Sequence, residues 1–242
     1  MTRLSTTQLI ATGAVAALLL LSACGSDDDS SADDQAVCDN FIAVDVASNT
    51  GEAEPDEMNA QLDTAIAAAD DDVAATLTTL KTEAQPLFVD PESEPSDEFF
   101  RALGEMYSWV GDNCDVETLD VTAKDYEFDG VPDEVATGYT VVSFENQGEE
   151  QHEMAVVRIN DGVTESIEEL LALPEEESGE KVTFTGATYA PPGESSAAGL
   201  SLTEPGNYVM LCFIPVGSVG EAEGDGPPHF TEGMIHEFTV TS

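Results

Sequence analysis

Four side chains in the second half of this 242-residue sequence carry the donor atoms a redox metal needs: His152, Cys212, His229 and Met234. They offer two imidazoles, one thiolate and one thioether. Two imidazole nitrogens and a thiolate in a trigonal plane, with a weak axial thioether, suit copper in both oxidation states, so little rearrangement accompanies electron transfer. Taken singly, each has a plainer role. Either histidine alone is a solvated turn residue, the cysteine a small buried hydrophobe, the methionine a core filler. Together, with the turn N-Q-G-E-E-Q before His152 and four residues between His229 and Met234, they read as one copper site. His236, beside Glu237 on the following strand, is read as exposed and outside it.

Other metal chemistry fits this composition less well. Copper oxidases and nitrite reductases need further histidine clusters, and the chain has 3 histidines in all. A zinc hydrolase of the H-E-x-x-H kind needs a second histidine that His152-Glu153 lacks. The reading is therefore a carrier or a binding module, not an enzyme.

The same residues resemble a known family. F-E-N-Q-G-E-E-Q-H, Phe144 to His152, resembles the strand and turn that carry the first histidine of cupredoxins, the plastocyanin, azurin and halocyanin group. C-F-I-P at Cys212 and H-F-T-E-G-M from His229 are similar to the ligand loop of that group, and D-Y-E-F-D-G-V-P lies near the start of the matching half, roughly Leu119 to Ser242. The resemblance implies a Greek-key β-sandwich and one type 1 (blue) copper ion held by His152, Cys212, His229 and Met234. One departure stands out: sixteen residues, Phe213 to Pro228, separate the cysteine from the second histidine, where the family usually has two to four. Asp225, Gly226, Pro227 and Pro228 are turn-forming residues suited to bringing such a loop back.

The elements that must position these donors follow from periodicity. From Leu119 onward, seven β-branched or aromatic runs alternate approximately: 121–128, 138–145, 153–159, 181–189, 197–202, 207–213 and 235–241. Bounded by Gly, Pro and Asn, they predict an antiparallel sandwich, interrupted by a short helix over 164–172. Tyr208, Met210 and Cys212 share one face, so the cysteine would close a strand whose inward face is apolar. Ahead of the sandwich, 36–116 reads as helical. Leu62, Ile66, Ala69, Val73, Leu77 and Leu80 line one helix face, Phe99, Leu103, Met106, Val110 and Cys114 another after an N-cap at Ser96, and a short helix would carry Val37, Cys38, Phe41 and Val44. That makes three helices, with Trp109 in their core. The expected fold class is α+β in two domains, a small helical bundle (36–116) followed by a Greek-key antiparallel β-sandwich (117–242).

Residues 1–23 hold Arg3, an apolar run from Ala14 to Leu21 and L-S-A just before Cys24, with no acidic residue. This reads as an export signal. It resembles bacterial lipoprotein signals, which implies acyl chains on Cys24, and two or more chains anchor a protein stably. An ordinary secretory signal cut near Ala23 is the alternative. Residues 24–35, nearly all Gly, Ser, Asp and Gln, would form a flexible, self-repelling acidic tether. They lack the spaced ligands, central glycine and closing glutamate of a calcium loop. The expected location is the outer face of the cell membrane.

Four cysteines then sort without remainder: Cys24 to lipid, Cys212 to metal, and Cys38 with Cys114 as a disulfide in an oxidising compartment. Pairing of Cys212 with either of the others is the alternative, and it would remove the thiolate. With 6 basic against 50 acidic residues the formal charge is −44, and loss of Arg3 with the signal makes it −45. Nucleic acid is excluded as a partner, since its binding depends on Lys and Arg neutralising phosphates. A solvated acidic surface that steers a basic redox partner is compatible with this charge. Two function classes result: a membrane-tethered copper electron carrier, or a cupredoxin-fold interaction module without a working metal site.

Overall fold

Apolar stripes at helical spacing build four helices: α1 (Ala32–Thr50), α2 (Pro55–Ala68), α3 (Asp71–Val89) and α4 (Asp97–Asn113). The structure is a computed structural model that describes residues 32–51, 54–90, 93–220 and 222–242. The expected export signal, Cys24 and the first part of the expected acidic tether lie outside the described residues. Three expectations are corrected here. The end of the tether, Ala32 to Gln35, is helical, with Asp33 and Asp34 in the first turn of α1, where acidic side chains complement the helix dipole. The helix through Val37 and Phe41 is 19 residues long. The stripe from Leu62 to Leu80 belongs to two helices, because the Asp70 carboxylate accepts from the N–H groups of Asp72 (3.1 Å) and Val73 (2.9 Å) and starts α3 there. Ser96 caps α4 as expected, accepting from Phe99 N–H at 3.0 Å.

After α4 come β1 (Glu117–Lys124), β2 (Glu127–Asp129), β3 (Glu134–Ala136), β4 (Gly138–Asn146) and β5 (His152–Ile159). Two short helices follow, α5 (Ile167–Leu171) and α6 (Glu175–Gly179), then β6 (Val182–Ala190), β7 (Ser195–Leu202), β8 (Gly206–Leu211) and β9 (Ile235–Thr241). One sheet has the order β2-β1-β4-β7 and the other β3-β9-β8-β5-β6. Together they form the expected two-sheet sandwich, with one correction. It is mixed, not purely antiparallel, because β1 runs parallel to β4 and β3 parallel to β9. The run expected as one strand over 121–128 folds on itself into β1 and β2, paired Thr122 with Asp129.

Two cores share strand β4. Val142 and Phe144 face the sandwich interior with Met154, Val156, Leu200, Tyr208, Met210 and Phe238. Tyr139 and Val141 face the other way and pack with Phe41, Leu77, Met106 and Val110 of the helices. That is the period of two expected of a strand buried on both faces. Beyond Val142 the helices no longer cover the sheet, and Ser143 and Glu145 are exposed. Trp109 packs at the edge of the helical core. A disulfide joins Cys38 in α1 to Cys114 at the end of α4, with Cα atoms 5.8 Å apart. Closing a loop of 76 residues is worth roughly 4 kcal/mol in the chain-entropy model.

Candidate metal centre

At one end of the sandwich, Cys212 follows directly on β8, His152 opens β5, and His229 begins a single 3₁₀ turn, His229–Glu232. All three side chains are fully buried. Their donor atoms lie within 4.8 Å of one another, the one such group among the described residues. His229 Nδ1 is 3.3 Å from Cys212 Sγ and 3.1 Å from His152 Nδ1. Cys212 is the free cysteine among the described residues, so neither alternative disulfide forms. Met234, also fully buried, lies in the core cluster that contains Cys212. Its backbone is tied to both neighbours: Met234 N–H donates to His229 O (3.1 Å) and Cys212 N–H donates to Met234 O (3.2 Å). Gly233, at φ +117°, makes the left-handed turn that sends the chain from the 3₁₀ turn back to Met234.

The long connection returns because it closes on itself. His229 N–H donates to Ile214 O (2.9 Å), Pro215 pairs with Pro228, Val216 N–H reaches Pro227 O (3.0 Å) and Gly226 N–H reaches Val216 O (3.1 Å). Residues 215–220 and 222–228 thus pair as a looped-out hairpin. Across its base, Cys212 Sγ and His229 Nδ1 lie 3.3 Å apart.

Each histidine presents its far nitrogen to a carboxylate. Asp125 Oδ1 is 2.9 Å from His152 Nε2, and Glu150 Oε2 is 3.1 Å from His229 Nε2. Both carboxylates are themselves held. Asp125 accepts Glu149 N–H at 3.1 Å, and Glu150 accepts the Tyr126 hydroxyl at 3.0 Å and the N–H of Gly217 from the looped-out hairpin. Despite their partial burial, the hydrogen bonds and the facing imidazoles leave both carboxyl groups below their ordinary range. Burial pushes His152 down, so it stays neutral, and pushes the Cys212 thiol up to about 11. An ionised carboxylate only accepts, and a neutral imidazole has one N–H. The partners therefore assign the proton of each ring to Nε2 and leave both Nδ1 lone pairs facing inward. Two bare ring nitrogens and a sulfur, buried and converging, lack hydrogens enough to satisfy one another. They fit a soft to borderline cation such as copper, which would also displace the thiol proton.

Neither the two carboxylates nor Gly148 is identifiable from the sequence as part of the site. A Cβ at 148 would lie 2.4 Å from Asp125 Oδ1 and 2.6 Å from His152 Nε2, so the turn must come this close without a side chain. D-Y-E-F-D-G-V-P contains Asp125 and E-E-Q-H contains Glu150, but the ring nitrogens they serve come from other elements. His236 differs from expectation: it is half-buried, its Nε2 is enclosed without a partner, and its ring stacks on Phe238 with centroids 6.5 Å apart.

No protein-family model and no curated protein matches the chain. Among solved structures it is similar to a dithionite-reduced auracyanin from the photosynthetic bacterium Roseiflexus castenholzii, 22% identical over 52% of this chain and 97% of that one, with a TM-score of 0.35. It is also similar to an auracyanin B, 20% identical over 52% and 89%, with a TM-score of 0.33. A third is auracyanin A, a blue copper protein from Chloroflexus aurantiacus, 16% identical over 51% and 98%, with a TM-score of 0.33. Likeness at these values assigns no metal and no role to this chain. By its own architecture, the carboxy-terminal half is a two-sheet sandwich with a buried His–Cys–His group, the fold and the grouping that the sequence resemblance implies.

Proposed function

We propose that this protein is a membrane-anchored, extracytoplasmic electron carrier with one type 1 copper site. The observation that carries the reading is the convergence of His152 Nδ1, His229 Nδ1 and Cys212 Sγ, buried together with the thiol hydrogen alone to share among the three. Bound there, copper would supply one-electron redox chemistry. The chain's part is to hold the donors still. Cys212 offers the thiolate, with Glu153 N–H donating to its sulfur at 3.3 Å, a contact that favours the charged form. His152 and His229 offer Nδ1, and Met234 is the candidate axial thioether. The apolar strands beneath exclude water and keep the donor geometry fixed between oxidation states. A sequence with 3 histidines, two of them in this site, supports transfer of electrons over the multi-copper chemistry of an oxidase.

Anchoring through lipid on Cys24 rests on the export signal before it. Among the described residues no helix is long and apolar enough to cross a membrane. A basic redox partner is the complement of a −44 surface, with association rates that fall as salt rises.

The test is a copper titration of residues 32–242, followed by visible absorption and electron paramagnetic resonance, beside Cys212→Ser. An intense thiolate-to-copper charge-transfer band at one equivalent, absent in the variant, is the expected result. A wild type with reduced Cys212 and no such band would exclude the electron carrier and leave an interaction module.

A further inference from the structure

Both imidazoles are completely enclosed, and each is backed by its own carboxylate at Nε2, while its Nδ1 faces the His–Cys–His cluster. We infer that Asp125 and Glu150 are positioning residues that fix His152 and His229 as Nε2–H tautomers, aim both Nδ1 lone pairs at the metal, and bias the site toward the oxidised ion. The inference rests on the copper-carrier reading and deepens it.

The geometry is specific on both sides. Asp125 Oδ1 meets His152 Nε2 at 2.9 Å while the same carboxylate accepts Glu149 N–H at 3.1 Å. Glu150 Oε2 meets His229 Nε2 at 3.1 Å, and its other oxygen accepts the Tyr126 hydroxyl at 3.0 Å. The Tyr126 ring also packs against that of His229, with centroids 4.8 Å apart. Gly217 N–H, from the looped-out hairpin, closes on Glu150 as well. Gln151 is tied to the same hairpin through its backbone N–H to Ser218 O at 2.9 Å. The sixteen-residue excursion therefore helps to hold the carboxylate that orients His229. This gives the unusual length of that loop a role in the site.

A carboxylate on the outer nitrogen makes the inner nitrogen a stronger base. It also adds negative charge near the ion, and that charge stabilises the more positive oxidation state over the less positive one, the more so where water is excluded. Two carboxylates, one per histidine, act in the same direction. Removing such an outer partner costs on the order of tenfold or more in metal affinity. Where that loss falls on the oxidised form, tenfold corresponds to about 59 mV for one electron.

The experiment uses the wild type, Asp125→Asn and Glu150→Gln, which keep shape and remove charge. In the metal-free proteins, the ring ¹⁵N spectra report the tautomer. The wild type is expected to show Nε2 protonated and Nδ1 bare on both histidines, and each variant to disturb that pattern at its own histidine. In the copper-loaded proteins, the reduction potential is expected to rise by at least the tenfold equivalent, about 59 mV, in each variant. A purely structural role would leave the potential of a folded, blue variant unchanged, and that result would overturn the inference. A wild type without the charge-transfer band defeats the electron-carrier reading instead. The metal-free spectra then decide alone: Nε2–H on both rings keeps the positioning role, and a bare Nε2 on either ends it.

Discussion

A single missing methyl group sets the spacing of the site. Gly148 lies where any side chain would collide with Asp125 Oδ1 and His152 Nε2 at once. Gly148→Ala should therefore push the carboxylate off the imidazole. We expect a stability loss of about 1–3 kcal/mol from overpacking and roughly tenfold weaker copper binding from the lost outer contact. Urea denaturation of the metal-free protein and a competitive copper titration measure the two effects; unchanged values in both would show that the turn yields freely. His152, Cys212 and His229, whose donor atoms the fold brings together, were readable in the sequence, because residue types in that order suggest a ligand set. Asp125, Glu150 and Gly148 were not, because a carboxylate among 50 acidic residues gives no sign of which ring it faces 27 or 79 positions away.

Among the elements, the connection between Cys212 and His229 carries the most consequence. Its ends are already joined at Pro215 and Pro228, with His229 N–H on Ile214 O, so the hairpin beyond that base is not what brings His229 home. Replacing residues 216–227 by Asn-Gly, a dipeptide suited to a tight hairpin turn, should leave the blue band in place. The same change removes Gly217 from Glu150 and the anchorage of Gln151, so the outer face of His229 should open to solvent. Electron paramagnetic resonance and the accessibility of His229 to a histidine-modifying reagent follow the two effects, and loss of the copper spectrum would mean that the whole excursion is needed. This closure was invisible in the sequence, where Pro and Gly mark turns without saying what pairs across them. Alternation located the strands for the same reason that it could not order them: a period of two reports which face is buried, not which neighbour is hydrogen-bonded. Hence β1 runs parallel to β4, and β3 to β9, unannounced. The helical stripe from Leu62 to Leu80 likewise kept its period through a break that only the Asp70 cap enforces.

At the scale of the whole molecule, the helices and the sandwich meet over a buried acid. Asp45 of α1 accepts the hydroxyls of Tyr107 in α4 (2.7 Å) and Tyr139 in β4 (2.8 Å), and the Asn49 amide at 3.2 Å. Gly199 of β7 packs so closely that a Cβ there would lie 2.5 Å from the Asp45 carboxylate. No basic side chain is among these partners. Burial lifts the carboxyl from 3.8 to about 6, against the lowering effect of its three hydrogen bonds. The sign follows from proton counts. Between pH 4 and 6 the native protein holds a proton on Asp45 that the unfolded chain has released, so stability from this group is greatest below the unfolded value and is lost as pH rises through about 6. A shift of about two units corresponds to roughly 3 kcal/mol. Acidification also relieves repulsion throughout a chain of formal charge −44, and that background must be subtracted. Asp45→Asn keeps an oxygen for the tyrosines but cannot titrate. Denaturation of both proteins from pH 4 to 7 at one fixed salt concentration isolates the group, since the diffuse acidic background is common to the two. The wild type should lose about 3 kcal/mol more than the variant across that range. Parallel curves would mean that water reaches Asp45, and that the joint between helices and sheet is looser than its three hydrogen bonds imply.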